Sequence, residues 1–163
     1  MEVQDGKHLT FSLGNEEYGI PILKVKEIIG MMDITHVPRT PEFIKGVINL
    51  RGKIIPIMDL RLKFTMKEKE YNERTCIIVV EVLINGIKRQ LGVVVDMVSE
   101  VVNIQKSEIE PPPQYGGKIE GGYLTGMGKV KGKVVMLLDI EEIVNCEEFV
   151  TLIDDMKGTG VNV

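Results

Sequence analysis

The sequence predicts a mainly β fold of two small barrels that share a hydrophobic core. Valine and isoleucine supply 40 of the 163 residues, and alanine and tryptophan are absent. Because β-branched side chains favour strands and alanine is the strongest helix former, this composition indicates strands rather than a helical bundle. An internal repeat and a series of short strand-like runs between glycine-bearing turns are the other two observations.

The repeat relates two units of the chain. The segment YGIPILKVKEII at 18–29 matches LGVVVDMVSEVV at 91–102, an offset of 73 residues. The segment GVINLRGKIIPIMDL at 46–60 matches GMGKVKGKVVMLLDI at 126–140, an offset of 80 residues. The seven extra residues fall in the proline- and glycine-rich stretch at 111–122, where a loop tolerates insertion. Two matching blocks in the same order predict two structurally equivalent units.

Each unit contains four strand-like runs. They lie at 8–13, 18–29, 46–50 and 53–58 in the first unit, and at 75–84, 89–102, 126–130 and 133–138 in the second. The links Arg51-Gly52, Asn85-Gly86 and Lys131-Gly132 are short and glycine-bearing, as hairpin turns require. Four or five short strands per unit leave free edges, and closure into a small barrel removes them.

Two short helices are predicted from residues that favour helix starts, Thr40 and Asp139. Thr40 as N-cap, a proline at the first helical position and Gly46 just past the end predict a one-turn helix at 41–45. Asp139, with Glu142 three residues later, resembles a capping box and predicts a second helix.

A C-terminal helix at about 146–156 completes the predicted fold. Asn145 and a glutamate three residues later form another capping-box pattern. An apolar stripe follows at helical spacing and comprises Phe149, Val150, Ile153 and Met156. We expect this stripe to pack on the body of the protein rather than to recruit a partner helix. The whole chain is then one domain, 1–163, with subdomains at about 8–72 and 73–145.

Charge and hydropathy narrow the classes of partner. Twenty basic and 24 acidic residues give a net charge of −4, and neither half has the basic surface that nucleic-acid binding requires. The N-terminus lacks the basic and apolar segments of a signal peptide. No apolar run approaches the roughly 18 residues that span a bilayer. The sequence therefore predicts a cytoplasmic protein that neither binds nucleic acid nor inserts directly into a membrane.

The reactive side chains offer no catalytic site. His8 lies near the terminus, and His36 lies in a proline-flanked turn. Cys76 begins an apolar run and is typical of a small buried hydrophobe, whereas acidic neighbours of Cys146 oppose a reactive thiolate. Val134 stands where a phosphate-binding loop requires serine or threonine. With no metal-ligand cluster in the sequence, we predict a non-enzymatic protein with no metal and no cofactor.

Packing alone does not explain two charged residues and one aromatic residue. Glu27 interrupts the apolar run VKEII, and Arg51 lies at the tip of a predicted hairpin. In one interpretation both are solvated surface groups. In the other they belong to a protein-binding surface, because the planar donor fork of arginine supports directed hydrogen bonds. Tyr115, in PPPQYGG, is either a lid over a barrel end or a contact anchor.

Long segments of the chain resemble a known family. LGNEEYGIPILKVKEII, followed by VPRTPEFIKGVINLRGKIIPIMDLR, resembles the CheW family of bacterial chemotaxis coupling proteins. The segments GVVVDMVSEV and YLTGMG extend the resemblance over about residues 8–150. It implies two SH3-like five-stranded barrels packed on a shared core. It also implies a scaffold that links the cytoplasmic tip of methyl-accepting chemoreceptors to the regulatory domain of the CheA histidine kinase, recruited to membrane-bound arrays.

The resemblance also implies two sets of binding residues. The family's receptor-facing glutamate and arginine fall on Glu27 and Arg51, which are expected to pair in a groove between the barrels. The remaining receptor-binding residues are Val25, Gly46, Asn49, Ile77, Val98 and Val101. The kinase-binding residues are Tyr115 and Glu110, and some relatives carry a basic residue where this chain has Glu110.

Alternatives to this function remain open at the level of the sequence. CheV-like adaptors and the kinase regulatory domain share the fold, although a chain that starts with methionine and lacks a receiver domain favours a stand-alone coupling protein. A module for proline-rich peptides needs an aromatic-lined groove, and four Phe, four Tyr and no Trp offer little for one. An enzyme is disfavoured by the reactive side chains. Two-sided interfaces would allow extended arrays through the partners.

Overall fold

Eleven strands and three α-helices make up the part of the chain that the structure describes. This computed structural model describes residues 5–112 and 123–158, with side chains as far as residue 153. The first half contains β1 (Gly6–Leu13), β2 (Glu16–Pro21), β3 (Val25–Gly30), β4 (Ile44–Leu50) and β5 (Lys53–Asp59). The second half contains β6 (Cys76–Ile84), β7 (Ile87–Val95), β8 (Met97–Ile104), β9 (Ile109–Glu110), β10 (Leu124–Val130) and β11 (Lys133–Leu138).

The helices follow the last strand of each half. They are α1 (Leu60–Lys63), α2 (Ile140–Val144) and α3 (Glu147–Gly158). Asp59 and Asp139, which are equivalent in the repeat, cap α1 and α2 by accepting backbone N–H groups of the first turn. The helix predicted after Asp139 is confirmed, and the helix predicted at 146–156 is confirmed as α3. The sequence did not predict α1.

The one-turn helix predicted at 41–45 is wrong. A turn occupies positions 42 and 43, and β4 begins at Ile44, whose N–H donates to the carbonyl of Pro41 at 3.0 Å. The hydroxyl of Thr40 donates to the carbonyl of Val37 at 2.8 Å instead of capping a helix. Proline and glycine signal turns as well as helix ends, so the same residues can introduce a strand.

The two longest predicted runs, 18–29 and 89–102, are each divided into two strands. A 3-10 turn at Ile22–Lys24 separates β2 from β3, and Asp96 separates β7 from β8. The three predicted hairpin turns are confirmed: Arg51-Gly52, Asn85-Gly86 and Lys131-Gly132 all have φ between 51° and 86°. Type I′ turns require such positive φ at both central residues.

Each sheet combines strands from both halves of the sequence. The larger sheet has the order β8-β1-β2-β11-β10-β9, and the smaller has the order β3-β6-β7-β5-β4. The repeat makes β1 to β5 equivalent to β6, β7, β8, β10 and β11, and this mapping converts one strand order into the other. Each sheet therefore takes the first two strands of one unit and the last three of the other, and the larger sheet adds β9. The predicted cut near residue 72 does not separate the sheets.

One parallel strand pair in each sheet joins the two units. Leu137 of β11 lies opposite Gly19 of β2, and Ile57 of β5 lies opposite Gly92 of β7. A Cβ at Gly92 would lie 2.6 Å from the side chain of Ile57, and one at Gly19 would lie 3.3 Å from that of Leu137. The matching glycines of the repeat therefore permit close packing at the two junctions.

The main hydrophobic core contains residues from both sheets. Phe11 of the larger sheet, Val93 of the smaller sheet and Phe149 of α3 are fully buried in it. Phe149 and Ile153 of the predicted stripe belong to this cluster and Val150 packs against it, so the predicted packing of the C-terminal helix is confirmed for these three residues. The side chain of Met156 lies outside the described residues. Burying each large apolar side chain contributes about 1.5–3 kcal/mol. The predicted mainly β fold with a shared core is confirmed.

Candidate functional site

The two edges of the smaller sheet meet and close it into a barrel. β3 and β4 are its edge strands. After β3 the chain reaches Thr35, whose N–H donates to the carbonyl of Val47 in β4 at 2.8 Å and whose carbonyl accepts from Val47 N–H at 2.9 Å. Closure removes edges that would otherwise pair with other chains. We call this line of contact, from Glu27 and Thr35 to Val47 and Arg51, the first seam.

Glu27 and Arg51 form an ion pair across the first seam. The guanidinium Nη2 of Arg51 donates to the carboxylate Oε2 of Glu27. The Glu27 side chain is 32% exposed and the Arg51 side chain 68% exposed. The hydrogen bond to Glu27, together with its charge, raises the pKa of Arg51. The structure thus brings together the two residues that the family resemblance pairs.

The turn between β4 and β5 presents Arg51 to the seam. Arg51 has φ of 53° and Gly52 has φ of 86°. The side-chain Oδ1 of Asn49 accepts from Gly52 N–H at 2.8 Å. Asn49, which the sequence assigned to receptor binding, therefore also stabilises the turn that carries Arg51.

Three residues of the predicted receptor-binding set lie partly or wholly below the surface. Gly46 is buried, and a Cβ there would lie 2.0 Å from the carbonyl oxygen of Thr35, so glycine is needed where the seam closes. Ile77 is 0% exposed inside the smaller barrel. Its predicted partner contact is corrected to a packing role, because its side chain is enclosed. Val25 is half-buried against the main core.

Val98 and Val101 lie on the other sheet. Both belong to β8, where they pair with Phe11 and Leu9 of β1. Val98 is half-buried against the main core, whereas Val101 is 51% exposed. Since Glu27 and Arg51 belong to the smaller sheet, a partner that contacts the whole predicted set has to bridge the two sheets.

The predicted kinase-binding residues are only partly described by the structure. Glu110 ends the two-residue strand β9 and is exposed. Its Oε2 lies 2.6 Å from Nζ of Lys129 on the neighbouring strand β10. Tyr115 lies outside the described residues. The charge at this edge of the larger sheet is therefore an acid–base pair rather than an isolated carboxylate.

A second seam closes the larger sheet in the same manner. Lys131 Nζ lies 3.2 Å from Oε1 of Glu100, and β9 pairs with β10 as Thr35 pairs with β4. Glu100 matches Glu27 at the offset of 73, and Lys131 matches Arg51 at the offset of 80. The repeat in the sequence identified Glu100 as the equivalent of Glu27. The equivalence of Lys131 to Arg51 was missed, although the offset of 80 gives it.

A largely buried ion pair connects the two sheets. Arg61 of α1 donates from Nε and Nη2 to the two carboxylate oxygens of Asp96, at 2.7 and 2.8 Å. Asp96 also accepts from Gly14 N–H at 2.8 Å. The Arg61 and Asp96 side chains are 15% and 9% exposed. Burial favours the neutral acid, but the hydrogen bonds from Arg61 and Gly14 outweigh it and lower the pKa of Asp96. We call this group the buried clamp.

The equivalent place in the repeat holds an ion pair of reversed polarity. Glu141 of α2 matches Arg61 at the offset of 80, and its Oε2 lies 3.1 Å from Lys24 Nζ and 3.0 Å from the N–H of Leu83. Burial favours neutral Glu141, but those hydrogen bonds outweigh it and lower the pKa of Glu141. The Lys24 and Glu141 side chains are 33% and 32% exposed. We call this group the half-exposed clamp.

The reactive side chains of the described residues form no metal-binding group. Among residues 5–112 and 123–153, no three His, Cys, Asp or Glu side chains are grouped so as to hold a metal ion. His8 is buried, with Nδ1 2.9 Å from the carbonyl oxygen of Gly6. Cys76 and Cys146 are half-buried free thiols. None of the helices in the described part of the chain has both the length and the apolar character to cross a bilayer.

The fold and its seams define a class of protein: a domain of two small β-barrels that exchange strands and carry acid–base pairs on their outer surface. The family model described as a CheW-like domain matches residues 7–148. The chain belongs to the CheW-like domain family.

Relatives and a solved structure agree with this assignment. The chain is 45% identical over 148 residues to "Chemotaxis protein CheW" of Klebsiella aerogenes, covering 91% of this chain and 86% of the relative. It is 37% identical over 134 residues to "Chemotaxis protein CheW" of Helicobacter pylori, covering 82% and 78%. The crystal structure of the scaffolding protein TtCheW from Thermoanaerobacter tengcongensis has a TM-score of 0.77 and 36% identity, covering 89% of this chain and 96% of that one.

Proposed function

We propose that this protein is a non-enzymatic cytoplasmic scaffold that couples methyl-accepting chemoreceptors to the CheA histidine kinase. Its family and the names of its relatives support a role in chemotaxis. The observation that carries the proposal is the Glu27–Arg51 pair on the first seam. It places an oriented guanidinium on the outside of a barrel, where a second protein can reach it.

Arg51 is suited to bind a partner because Glu27 occupies only part of its donor fork. A guanidinium offers five N–H donors in one plane, and the Arg51 side chain remains 68% exposed. Arginine is enriched at the energetic centres of protein interfaces. Glu27 would hold the fork in place before binding, so less side-chain entropy is lost when the receptor tip docks.

The receptor site extends over both sheets in this proposal. Val101 of β8 offers exposed apolar surface, and Arg51 offers directed hydrogen bonds from the smaller barrel. A receptor state changes kinase activity only if the assembly binds the alternative receptor states with unequal affinity. The scaffold therefore transmits a signal through contacts rather than through a reaction.

The kinase site is proposed at the edge of the larger sheet. Glu110, paired with Lys129 at 2.6 Å, and Tyr115 would contact the kinase regulatory domain. A scaffold with separate faces for two partners extends an assembly, because head-to-tail contacts form rings or continue as arrays. Membrane-bound receptors would recruit the protein to such arrays. A CheV-like adaptor is not favoured, since the relatives reported above are named CheW.

The proposed receptor site is tested with Arg51→Glu. We expect its affinity for a cytoplasmic receptor fragment to fall at least about tenfold, as for an interface hot spot. The reversed charge faces Glu27 and removes every donor of the fork. Titration calorimetry would measure the affinity, with kinase binding and the thermal unfolding midpoint as checks that the fold is retained.

Lys131→Glu is the matched control, because Lys131 occupies the equivalent place on the second seam. We expect this variant to bind the receptor fragment as the unaltered protein does. Receptor binding that is unchanged by Arg51→Glu, or reduced equally by both substitutions, would contradict the proposed site.

The proposed kinase site is tested with Tyr115→Ala, with Tyr115→Phe as control. We expect Tyr115→Ala to weaken binding of the kinase regulatory domain and Tyr115→Phe to retain most of it, since the ring supplies the contact area of an aromatic anchor. If the affinity for the kinase domain is the same in all three proteins, Tyr115 is not a kinase contact.

A further inference from the structure

The buried clamp joins segments that belong to different sheets. Arg61 follows β5 of the smaller sheet, and Gly14 lies in the turn between β1 and β2 of the larger sheet. Asp96 lies between them, where the chain passes from β7 of the smaller sheet to β8 of the larger one. Its own N–H donates to the carbonyl of Ser12 at 3.1 Å. The clamp therefore contacts both sheets at one point.

The geometry of this clamp is directional. The two parallel hydrogen bonds from Arg61 to Asp96 measure 2.7 and 2.8 Å, and such bidentate pairs fix orientation as well as distance. The remaining Arg61 nitrogen, Nη1, donates to the carbonyl of Lys67 at 2.9 Å. The apolar core also holds the sheets together, but hydrophobic contact is non-directional. A bidentate ion pair constrains the rotation of one sheet on the other, which apolar contact alone constrains less.

The half-exposed clamp is a weaker constraint. It has one lysine contact at 3.1 Å instead of two parallel guanidinium bonds, and lysine acts as a mobile point charge. Its side chains are about a third exposed, whereas Asp96 is 9% exposed. The segment after α1 also folds back on the buried clamp, where Met66 lies close to Gly14. Of the two clamps, the buried clamp is therefore the stronger constraint on the relative orientation of the sheets.

We infer that Arg61 and Asp96 are positioning residues for the receptor-binding surface. They fix the angle at which the sheets meet, and thereby the placement of Arg51 on one sheet relative to Val101 on the other. This inference rests on the proposed receptor site, because that site spans both sheets. Asp96 immediately precedes β8, the strand that carries Val101, so a change in its position is passed directly to the receptor face.

The test replaces the clamp by apolar residues, in Arg61→Met with Asp96→Leu. Well-packed apolar residues can replace a buried ion pair with little loss of stability. We expect the thermal unfolding midpoint to change little and the sheets to lose their fixed angle. Spin labels at Lys53 of β5 and Lys133 of β11 would measure the angle in a background with Cys76→Ser and Cys146→Ser. The distribution of distances between labels should broaden, and receptor affinity should fall about two- to thirtyfold.

The matched control is Lys24→Met with Glu141→Leu at the half-exposed clamp. We expect an unchanged distance distribution and unchanged receptor binding. If the Arg61/Asp96 variant keeps a narrow distribution, or if the control broadens it equally, the positioning role is wrong. If the Arg61/Asp96 variant does not fold, Arg61→Lys takes its place, because it keeps the charge and loses the fork. An unbroadened distribution in that variant would also overturn the inference.

The label distances do not depend on the proposed function. Failure of the unaltered protein to bind a receptor fragment would contradict the receptor site, while the distances would still report on the clamp. A broadened distribution with unchanged receptor affinity would overturn the positioning role and leave the receptor site standing.

Discussion

The two seams close equivalent barrels with different basic residues. The first joins Glu27 to Arg51, and the second joins Glu100 to Lys131 at 3.2 Å. Both place a carboxylate on an edge strand and a base in a type I′ turn, so barrel closure is compatible with either base. An arginine fork adds directed donors that lysine lacks. The shared features are those that the fold uses, and the arginine fork is the feature on which the proposed receptor site depends.

The two clamps differ in the placement of their charges. In the buried clamp the helix carries the base and the link between the sheets carries the acid, and in the half-exposed clamp these are exchanged. Arg61 and Glu141 are equivalent by the repeat, yet each bonds to an opposite charge, on Asp96 and Lys24. Each helix therefore carries a charged residue that bonds to the link between the sheets, with either sign of charge. The Arg61–Asp96 pair is the more deeply buried, so we expect its loss to have the greater effect on stability.

The largest effect is expected for Gly46→Ala. A Cβ would lie 2.0 Å from the carbonyl oxygen of Thr35, and Gly46 has φ of 138°, so the first seam has to open. We expect the free energy of unfolding to fall by about 3 kcal/mol. Gly30→Ala is the control, since a Cβ there meets nothing within 4 Å, and its effect should stay within about 0.5 kcal/mol. Urea denaturation measures both, and equal effects would contradict the role of Gly46.

A slightly smaller effect is expected for Asp96→Asn. It leaves Arg61 partly buried without its charge partner, and we expect a loss of about 2 kcal/mol near pH 7. Glu141→Gln in the half-exposed clamp should cost at most about 1 kcal/mol. Denaturant titration of the two variants tests the comparison, which fails if Glu141→Gln is the more destabilising.

Acidification gives a second test of how much the buried clamp contributes to stability. The pKa of Asp96 is lowered in the folded protein, so its stabilising contribution is fully present above the unfolded value of about 3.9. It is lost as the pH falls from that value through the lower folded pKa. We expect the stability difference between the unaltered protein and Asp96→Asn to shrink below about pH 4. A difference that stays constant down to pH 2 would contradict this assignment.

Exchanging the bases of the seams should affect binding and leave folding unchanged. We expect Arg51→Lys to reduce receptor affinity several-fold, because the second donor of the fork is lost. Lys131→Arg should leave receptor binding unchanged, because Lys131 is not among the residues of the proposed receptor site. Calorimetric titration with a receptor fragment tests both. Equal affinities of Arg51→Lys and the unaltered protein would show that charge alone suffices.

The smallest effect is expected in the turns that carry the two bases. Asn49→Ala removes the acceptor for Gly52 N–H and should cost about 0.5–1 kcal/mol. Lys129, its equivalent in the repeat, forms an exposed ion pair with Glu110, so Lys129→Ala should cost less than about 0.5 kcal/mol. Thermal unfolding of both variants would show the difference, and an equal or reversed order would contradict the turn role of Asn49.

The sequence predicted local features of the fold well. Positive φ at Arg51-Gly52 follows from the turn chemistry, and the repeat predicted that Gly19 and Gly92 hold equivalent places. The pairing of Glu27 with Arg51 came from the family resemblance. The repeat alone could not give it, because an offset states which residues are equivalent and not which are neighbours.

Long-range contacts were missed for the same reason. Arg61 and Asp96 are 35 residues apart in sequence, and no local pattern connects them. The exchange of strands between units also left no local signal, since nothing in the sequence of β2 distinguishes β11 from β5 as its second neighbour beside β1. The false helix at 41–45 shows the reverse error, in which local signals were read without the strand pairing that overrides them.

The exchange of strands has a consequence for synthesis on the ribosome. The β1–β2 hairpin is made first, yet its neighbours β8 and β11 end only at residues 104 and 138. At translation rates of about 5–20 residues per second, the hairpin is complete about 6–23 seconds before β11. The β1 edge stays free until β8 is made and the β2 edge until β11 is made, and a free edge can pair with other nascent chains. The smaller barrel can close as soon as β7 emerges and can serve as the surface on which the larger one assembles.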